Sequence, residues 1–274
     1  MSTPENPFGG SEPLPVAESD SRPAVPDNVT DAGLLPSFPA WTLADVLRVL
    51  VVLFLAMLFT GVLSVMLATM LPAFRNAKSA QIATDPRIMV PAQAFAYLVT
   101  IGFVYRMIAF HYRVRFWEGV HWRWPKNWAA YLAGGAALSV LLQLASRVLP
   151  IPDKMPIDDL FKTTSGVWLM ALFGTMIAPF AEELFFRGLL YPALARRMGI
   201  GLAVAFTSLT FALIHASQLG WSLAAVSILV AVGLALTLVR VISGSLAASV
   251  IVHVGYNGFL FGLIFIGTHG FRKL

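Results

Sequence analysis

The chain has 274 residues, of which 58% are hydrophobic and only 12% are charged. A soluble domain carries about 25% charged residues, so this composition excludes an ordinary soluble enzyme and predicts an all-α, polytopic membrane protein. The lack of cysteine excludes disulfides and thiolate metal sites. The net charge of +5 does not indicate a nucleic-acid partner, because the basic residues lie in loops between apolar runs, where they set membrane orientation.

Residues 1–39 differ in composition from everything that follows. This stretch holds eight of the 17 prolines, and its six acidic residues face a single basic one. Segments of this kind cannot bury enough apolar surface to fold. We therefore predict a disordered acidic tail over 1–39 and a helical membrane domain over 40–274.

Seven apolar runs follow the tail, each near the roughly 20 residues that a membrane-spanning helix needs. They cover 43–71, 89–110, 128–149, 167–195, 200–217, 221–239 and 246–266. The polar stretch 153–164 has apolar residues at helical spacing, which predicts a short helix lying in the membrane interface. The expected fold is thus a bundle of seven to eight helices.

Tryptophan and basic residues alternate in the loop between the second and third runs, at 113–128. Together they are typical of an interfacial anchor. If this loop and the Arg196–Arg197 turn are cytosolic, the positive-inside rule predicts a cytosolic amino terminus for a multi-pass protein of the cell (inner) membrane. The opposing loops also hold basic residues, so the charge bias is small.

The fourth run contains Glu182, Glu183 and Arg187 among apolar residues. Each charge at the centre of a membrane helix costs about 2.5–3.5 kcal/mol on insertion scales, so three in six residues indicate a functional site. Glu183 and Arg187 have the i,i+4 spacing of a helical ion pair. Glu182 points about 100° away and has no basic partner on its own helix. We expect Glu183 to be structural and Glu182 to do chemistry.

Later runs supply the other polar positions. Glu182 and His215 lie 17 and 16 residues from the turn at Gly199, so an antiparallel hairpin places both about 24–26 Å from it. His253 and Asn257 are four residues apart and share one face of the seventh run.

Pro179 removes one backbone hydrogen bond, leaves the Thr175 carbonyl free and favours a kink before the glutamates.

These residue types permit two kinds of chemistry. A glutamate and a histidine can orient a water molecule and remove its proton, while an imidazole and a carboxamide can donate to an oxyanion. Alternatively, Glu182, His215 and His253 could hold a metal such as zinc. The residue types do not separate these readings, and the His-Glu-x-x-His signature of many metalloproteases is absent.

The ordered set Glu182-Glu183-x-x-x-Arg187, Phe211-x-x-x-His215 and His253-x-x-x-Asn257 resembles the CAAX protease and bacteriocin-processing family, also called CPBP or Abi. The resemblance covers a motif core of about 167–259. It implies an intramembrane endopeptidase that cleaves a membrane-anchored protein, with a lipidated CAAX-like protein among the substrates it suggests. No cofactor is favoured by this resemblance, and zinc is not excluded.

By the same resemblance, Glu182 and His215 would activate the water, Glu183 and Arg187 would support them, and His253 and Asn257 would form the oxyanion site.

Two alternatives come from other functional classes. The first alternative is a proton-coupled transporter, because membrane glutamates and histidines also form proton relays. The other is a scaffold or immunity protein that keeps the fold without catalysis.

Overall fold

The computed structural model describes residues 41–271, so the tail predicted at 1–39 lies outside the described residues. Within 41–271 every regular element is helical, as predicted. The helices are α1 Leu43–Thr69, α2 Ser79–Thr84, α3 Pro86–Arg106, α4 Phe116–Gly119, α5 Trp128–Ser146, α6 Thr164–Leu172, α7 Ala178–Glu183, α8 Tyr191–Ile214, α9 Leu223–Ser243 and α10 Leu246–Gly267. A 3₁₀ helix at Pro156–Phe161 occupies the stretch where a short interfacial helix was expected.

Six helical segments in the described residues are long and apolar enough to cross a membrane, so the predicted number of seven to eight is not confirmed. The difference lies in one continuous segment of 51 residues, Thr164–Ile214, which the sequence analysis divided in two. That segment turns back on itself. The rings of Phe186 and Phe211 are 25 residues apart in sequence, yet their centroids lie 5.3 Å apart.

The reversal occurs at Gly199, whose φ of 78° and ψ of 166° are non-helical. Such a backbone conformation is essentially restricted to glycine. No atom lies within 4 Å of the place that a β-carbon on Gly199 would occupy, so the constraint is conformational and not one of space. The glycine therefore makes the hairpin that was predicted to bring Glu182 level with His215.

The start of α1 is tied to two other parts of the chain. Thr42 and Asp45 form a capping box, and the hydroxyl of Tyr112 donates to the Asp45 carboxylate. Burial and this contact with Asp45 raise the pKa of Tyr112 to about 12. Arg196 donates to the Trp41 carbonyl, which joins the hairpin turn to the same point.

Helix α10 occupies the centre of the bundle. Its first eight residues, 246–253, are all buried, and it contributes to apolar clusters on both of its sides. It approaches α5 at backbone contact. A β-carbon on Gly135 would lie 2.1 Å from the Val252 carbonyl oxygen, and one on Gly255 would lie 2.3 Å from that of Leu132. Small residues permit this close packing in membrane proteins.

We predict that Gly135→Ala lowers the unfolding temperature of the detergent-purified protein, because its methyl group would force α5 away from α10. Overpacking of this kind costs about 1–3 kcal/mol. Gly134→Ala is the matched control, since nothing lies within 4 Å of its β-carbon position. The close-packing assignment is wrong if both variants unfold at the same temperature.

Candidate active site

The helix that carries the glutamates has a π-helical turn at Phe173–Ile177, just before α7. In a π turn each carbonyl accepts from the residue five positions later, and the N–H of Ala178 accordingly bonds to the carbonyl of Phe173. The next carbonyl in that register belongs to Gly174 and would need the N–H of residue 179. Residue 179 is proline and has no N–H. The Gly174 carbonyl is therefore left without a partner in its own helix.

Asn257 of α10 fills that vacancy. Its side-chain nitrogen donates to the Gly174 carbonyl at 2.7 Å. In an α-helical register Pro179 would free the Thr175 carbonyl, as predicted from the sequence. The π turn shifts the register by one residue, so the freed carbonyl is that of Gly174. One N–H of Asn257 is thus engaged in a contact between helices, and the second is left for other partners.

Glu183 is the most completely enclosed acid of the site, with a side chain that is 0% exposed. Its Oε1 accepts from Arg187 Nη1 at 2.7 Å and from His253 Nδ1 at 2.9 Å. Its Oε2 accepts from the Ser249 hydroxyl at 2.5 Å. The i,i+4 pair predicted from the sequence is present, and two donors from α10 complete the shell of the carboxylate.

Arg187 is equally buried and is held by α9 as well as by Glu183. Its Nε donates to the Thr237 hydroxyl at 3.2 Å and its Nη2 donates to the Gly233 carbonyl at 2.9 Å. The guanidinium carbon also lies 4.7 Å from the centroid of the Phe211 ring. Each of the three guanidinium nitrogens has an acceptor, so the group can remain charged inside a membrane protein.

Glu182 differs from its neighbour in having no direct partner. Its Oε1 lies 3.8 Å from His215 Nε2 and its Oε2 lies 3.9 Å from His253 Nε2. Both distances are too long for a hydrogen bond. Each distance leaves room for a water molecule that lies about 2.8 Å from the carboxylate oxygen and about 2.8 Å from the imidazole nitrogen. The side chain of Glu182 is 13% exposed, so the protein does not enclose it completely.

The proton positions on the two imidazoles follow from their other partners. His215 Nδ1 lies 2.8 Å from the Phe211 carbonyl, which can only accept, so Nδ1 carries the proton. His253 Nδ1 faces the Glu183 carboxylate and carries a proton for the same reason. In the neutral form, each Nε2 then presents a lone pair toward Glu182. Each can accept a proton from a water molecule in the gap.

Of the six predicted site residues, five form one connected cluster: Glu182, Glu183, Arg187, His215 and His253. Asn257 lies one helical turn beyond His253 on α10, with its amide directed to the Gly174 carbonyl. Whether the six residues have the assigned roles stays a prediction.

Two residues of α3 at this site were not singled out from the sequence. Tyr97 and Glu182 both line an apolar cavity of about 90 Å³ between α1, α3 and the glutamate helix. The Tyr97 hydroxyl accepts from Gln93 at 3.2 Å, which leaves its own proton free for another acceptor. A polar i,i+4 pair in an otherwise apolar span was the signal that could have identified them.

The arrangement does not match a metal site. Among residues 41–271 no group of three histidine, cysteine, aspartate or glutamate side chains is placed to hold a metal ion. His253 directs Nδ1 to Glu183 and only Nε2 toward Glu182.

Residues 164–259 match the family model described as Type II CAAX prenyl endopeptidase Rce1-like. The match covers about a third of the chain and includes all six predicted site residues. It confirms the family resemblance that the three spaced motifs indicated. No curated protein and no solved structure matched the chain.

We predict that the two adjacent glutamates differ in their contribution to stability. Glu183→Gln leaves Arg187 as a buried charge without a carboxylate, and breaking a buried pair costs about 3–5 kcal/mol. Glu182→Gln breaks no direct contact and should unfold near the wild-type temperature. Thermal unfolding of both variants in detergent checks this, and equal losses would contradict the division of roles.

The link between Asn257 and Pro179 makes a second prediction. Asn257→Ala leaves the Gly174 carbonyl unsatisfied, which costs about 1–3 kcal/mol. Pro179→Ala restores an N–H that can bond to this carbonyl, so Asn257→Ala should cost less in that background. A double-mutant cycle of unfolding free energies measures the difference, and additive effects would show that the two residues are not coupled.

Proposed function

We infer that this chain, which carries an Rce1-like type II CAAX prenyl endopeptidase domain at residues 164–259, is an intramembrane endopeptidase that uses Glu182 and His215 to activate water. The observation that carries the proposal is the position of the Glu182 carboxylate. It has no ion-pair partner at hydrogen-bond distance, and its two oxygens face the Nε2 atoms of His215 and His253 across gaps of 3.8 and 3.9 Å.

The proposed step begins with a water molecule between Glu182 and His215. One of these groups takes a proton from the water, and the water oxygen bonds to the carbonyl carbon of the substrate. The tetrahedral intermediate then collapses, the C–N bond breaks, and the stored proton passes to the leaving nitrogen. The products are a carboxylate and an amine, and no covalent link to the enzyme forms.

The oxyanion of the intermediate needs donors, and the proposal assigns them to His253 and Asn257. Neutral His253 presents a lone pair at Nε2, so it donates there only as an imidazolium. In that form its Nδ1–H still donates to the Glu183 carboxylate. Asn257 can contribute its second N–H, because only one is needed for Gly174.

The apolar cavity beside Glu182 favours a substrate segment that enters from the bilayer. Its lining is almost wholly apolar, with side chains of α1 and α3 facing the glutamate helix. An extended chain anchored in lipid can present its peptide bond there without crossing a polar surface. We propose a membrane-anchored protein as the substrate, and the name of the matching family favours a prenylated carboxyl-terminal segment.

The direct test is cleavage of a membrane-anchored fluorescent reporter by the purified protein in liposomes. We expect Glu182→Gln to lower the rate about 10²–10⁴-fold, the usual contribution of a general base, with an unchanged unfolding temperature. Glu118→Gln is the matched control, because Glu118 is an exposed acid on the short helix α4 that pairs with Arg115. Full activity of well-folded Glu182→Gln would overturn the proposal.

Two further arms of this assay define the reaction. Comparing prenylated and unprenylated reporters of one sequence tells whether the lipid is part of the recognised substrate. Adding a strong chelator, with elemental analysis of the purified protein, tells whether a metal takes part. A rate that the chelator leaves unchanged, in protein that contains no metal, agrees with water activation by Glu182 and His215 alone.

A further inference from the structure

A second arginine is also buried, but its positive charge has far fewer compensating partners than the charge of Arg187. Arg240, in the last turn of α9, is only 3% exposed. Its Nε is buried and has no hydrogen-bond partner. Among residues 41–271, no acidic side chain forms an ion pair with it, whereas Arg187 has a carboxylate, a hydroxyl and a carbonyl.

The surroundings of Arg240 add positive charge. The loop before α5 folds over the turn between α9 and α10, where the Ser245 hydroxyl donates to the Arg123 carbonyl and the Leu246 N–H donates to the His121 carbonyl at 3.1 Å. Arg123 is exposed at the rim of this region and repels Arg240. Burial and the charge of Arg240 lower the pKa of His121, which keeps that imidazole neutral at pH 7.

An unpaired buried cation is costly, by several kcal/mol even after relaxation. Arginine cannot relieve this cost by losing its proton, because its guanidinium stays charged in proteins. Tyr191 lies close enough to interact with Arg240 but brings no formal negative charge. Within residues 41–271 no acidic side chain compensates the charge, so an anion from outside this part of the chain has to do so.

We propose that Arg240, with Arg123 at the rim, binds a phosphate group, and that this phosphate belongs to the headgroup of an anionic membrane lipid. Three exposed tryptophans, Trp117, Trp124 and Trp128, border the same loop, which is typical of the depth at which lipid headgroups lie. Basic pockets between helix ends are known lipid-headgroup sites. The planar guanidinium fits two phosphate oxygens at once.

The test is thermal unfolding of the full chain in neutral detergent, with phosphatidylglycerol, phosphatidylcholine or inorganic phosphate added. We expect phosphatidylglycerol to raise the unfolding temperature of the wild type by about 3–10 °C, as ligand binding at 10 to 100 times Kd would do. Arg240→Gln should lose most of this shift. Without lipid it should be no less stable than the wild type, because it removes an uncompensated charge.

Arg197→Gln is the control, since Arg197 is exposed and its loss changes net charge equally. It should keep the phosphatidylglycerol shift. If inorganic phosphate stabilises the wild type as strongly as the lipid and fails on Arg240→Gln, the site stands and its ligand is free phosphate. If Arg240→Gln does not fold, Arg123→Gln serves in its place and should reduce the shift. An undiminished shift in the folded variant overturns the proposal.

Discussion

The carboxylate of Glu183 is the point on which the polar interior depends. It is fully buried and accepts from Arg187 on its own helix and from Ser249 and His253 on α10. Arg187 extends the same network to Thr237 on α9. A charge in an apolar interior persists only when its hydrogen-bonding capacity is satisfied, so three parts of the bundle are held in one register. That register sets where His253 lies relative to Glu182.

Much of this arrangement was predictable from the sequence, because it follows from helical periodicity. The rise of 1.5 Å per residue predicted that Glu182 and His215 would be level, and their side chains are 3.8 Å apart. The i,i+4 spacing predicted the ion pair of Glu183 and Arg187, which is present. The first inference needed only the hairpin at Gly199, whose glycine was visible in the sequence, and the second needed only a helix.

What the sequence could not show depends on departures from ideal helices and on contacts between distant segments. A proline predicts a kink, but the resulting π turn decides which carbonyl is freed, and hence why Asn257 meets Gly174. The fourth and fifth runs form one continuous segment, Thr164–Ile214, that reverses at Gly199, so the predicted number of spans is not confirmed. Gln93 and Tyr97 form a polar i,i+4 pair that the sequence shows, but the packing of α3 against the glutamate helix decides that Tyr97 lines the Glu182 cavity.

Two adjacent glutamates have different environments because one residue of helix rotates a side chain by about 100°. Glu183 turns inward, where three donors fix its carboxylate and complete burial keeps it away from a substrate. Glu182 turns toward the cavity and the two Nε2 atoms, where its oxygens stay uncommitted. His253 contacts both, with one nitrogen on the fixed acid and the other toward the free one. The rigid acid thereby orients the imidazole for the acid that is free to accept a proton.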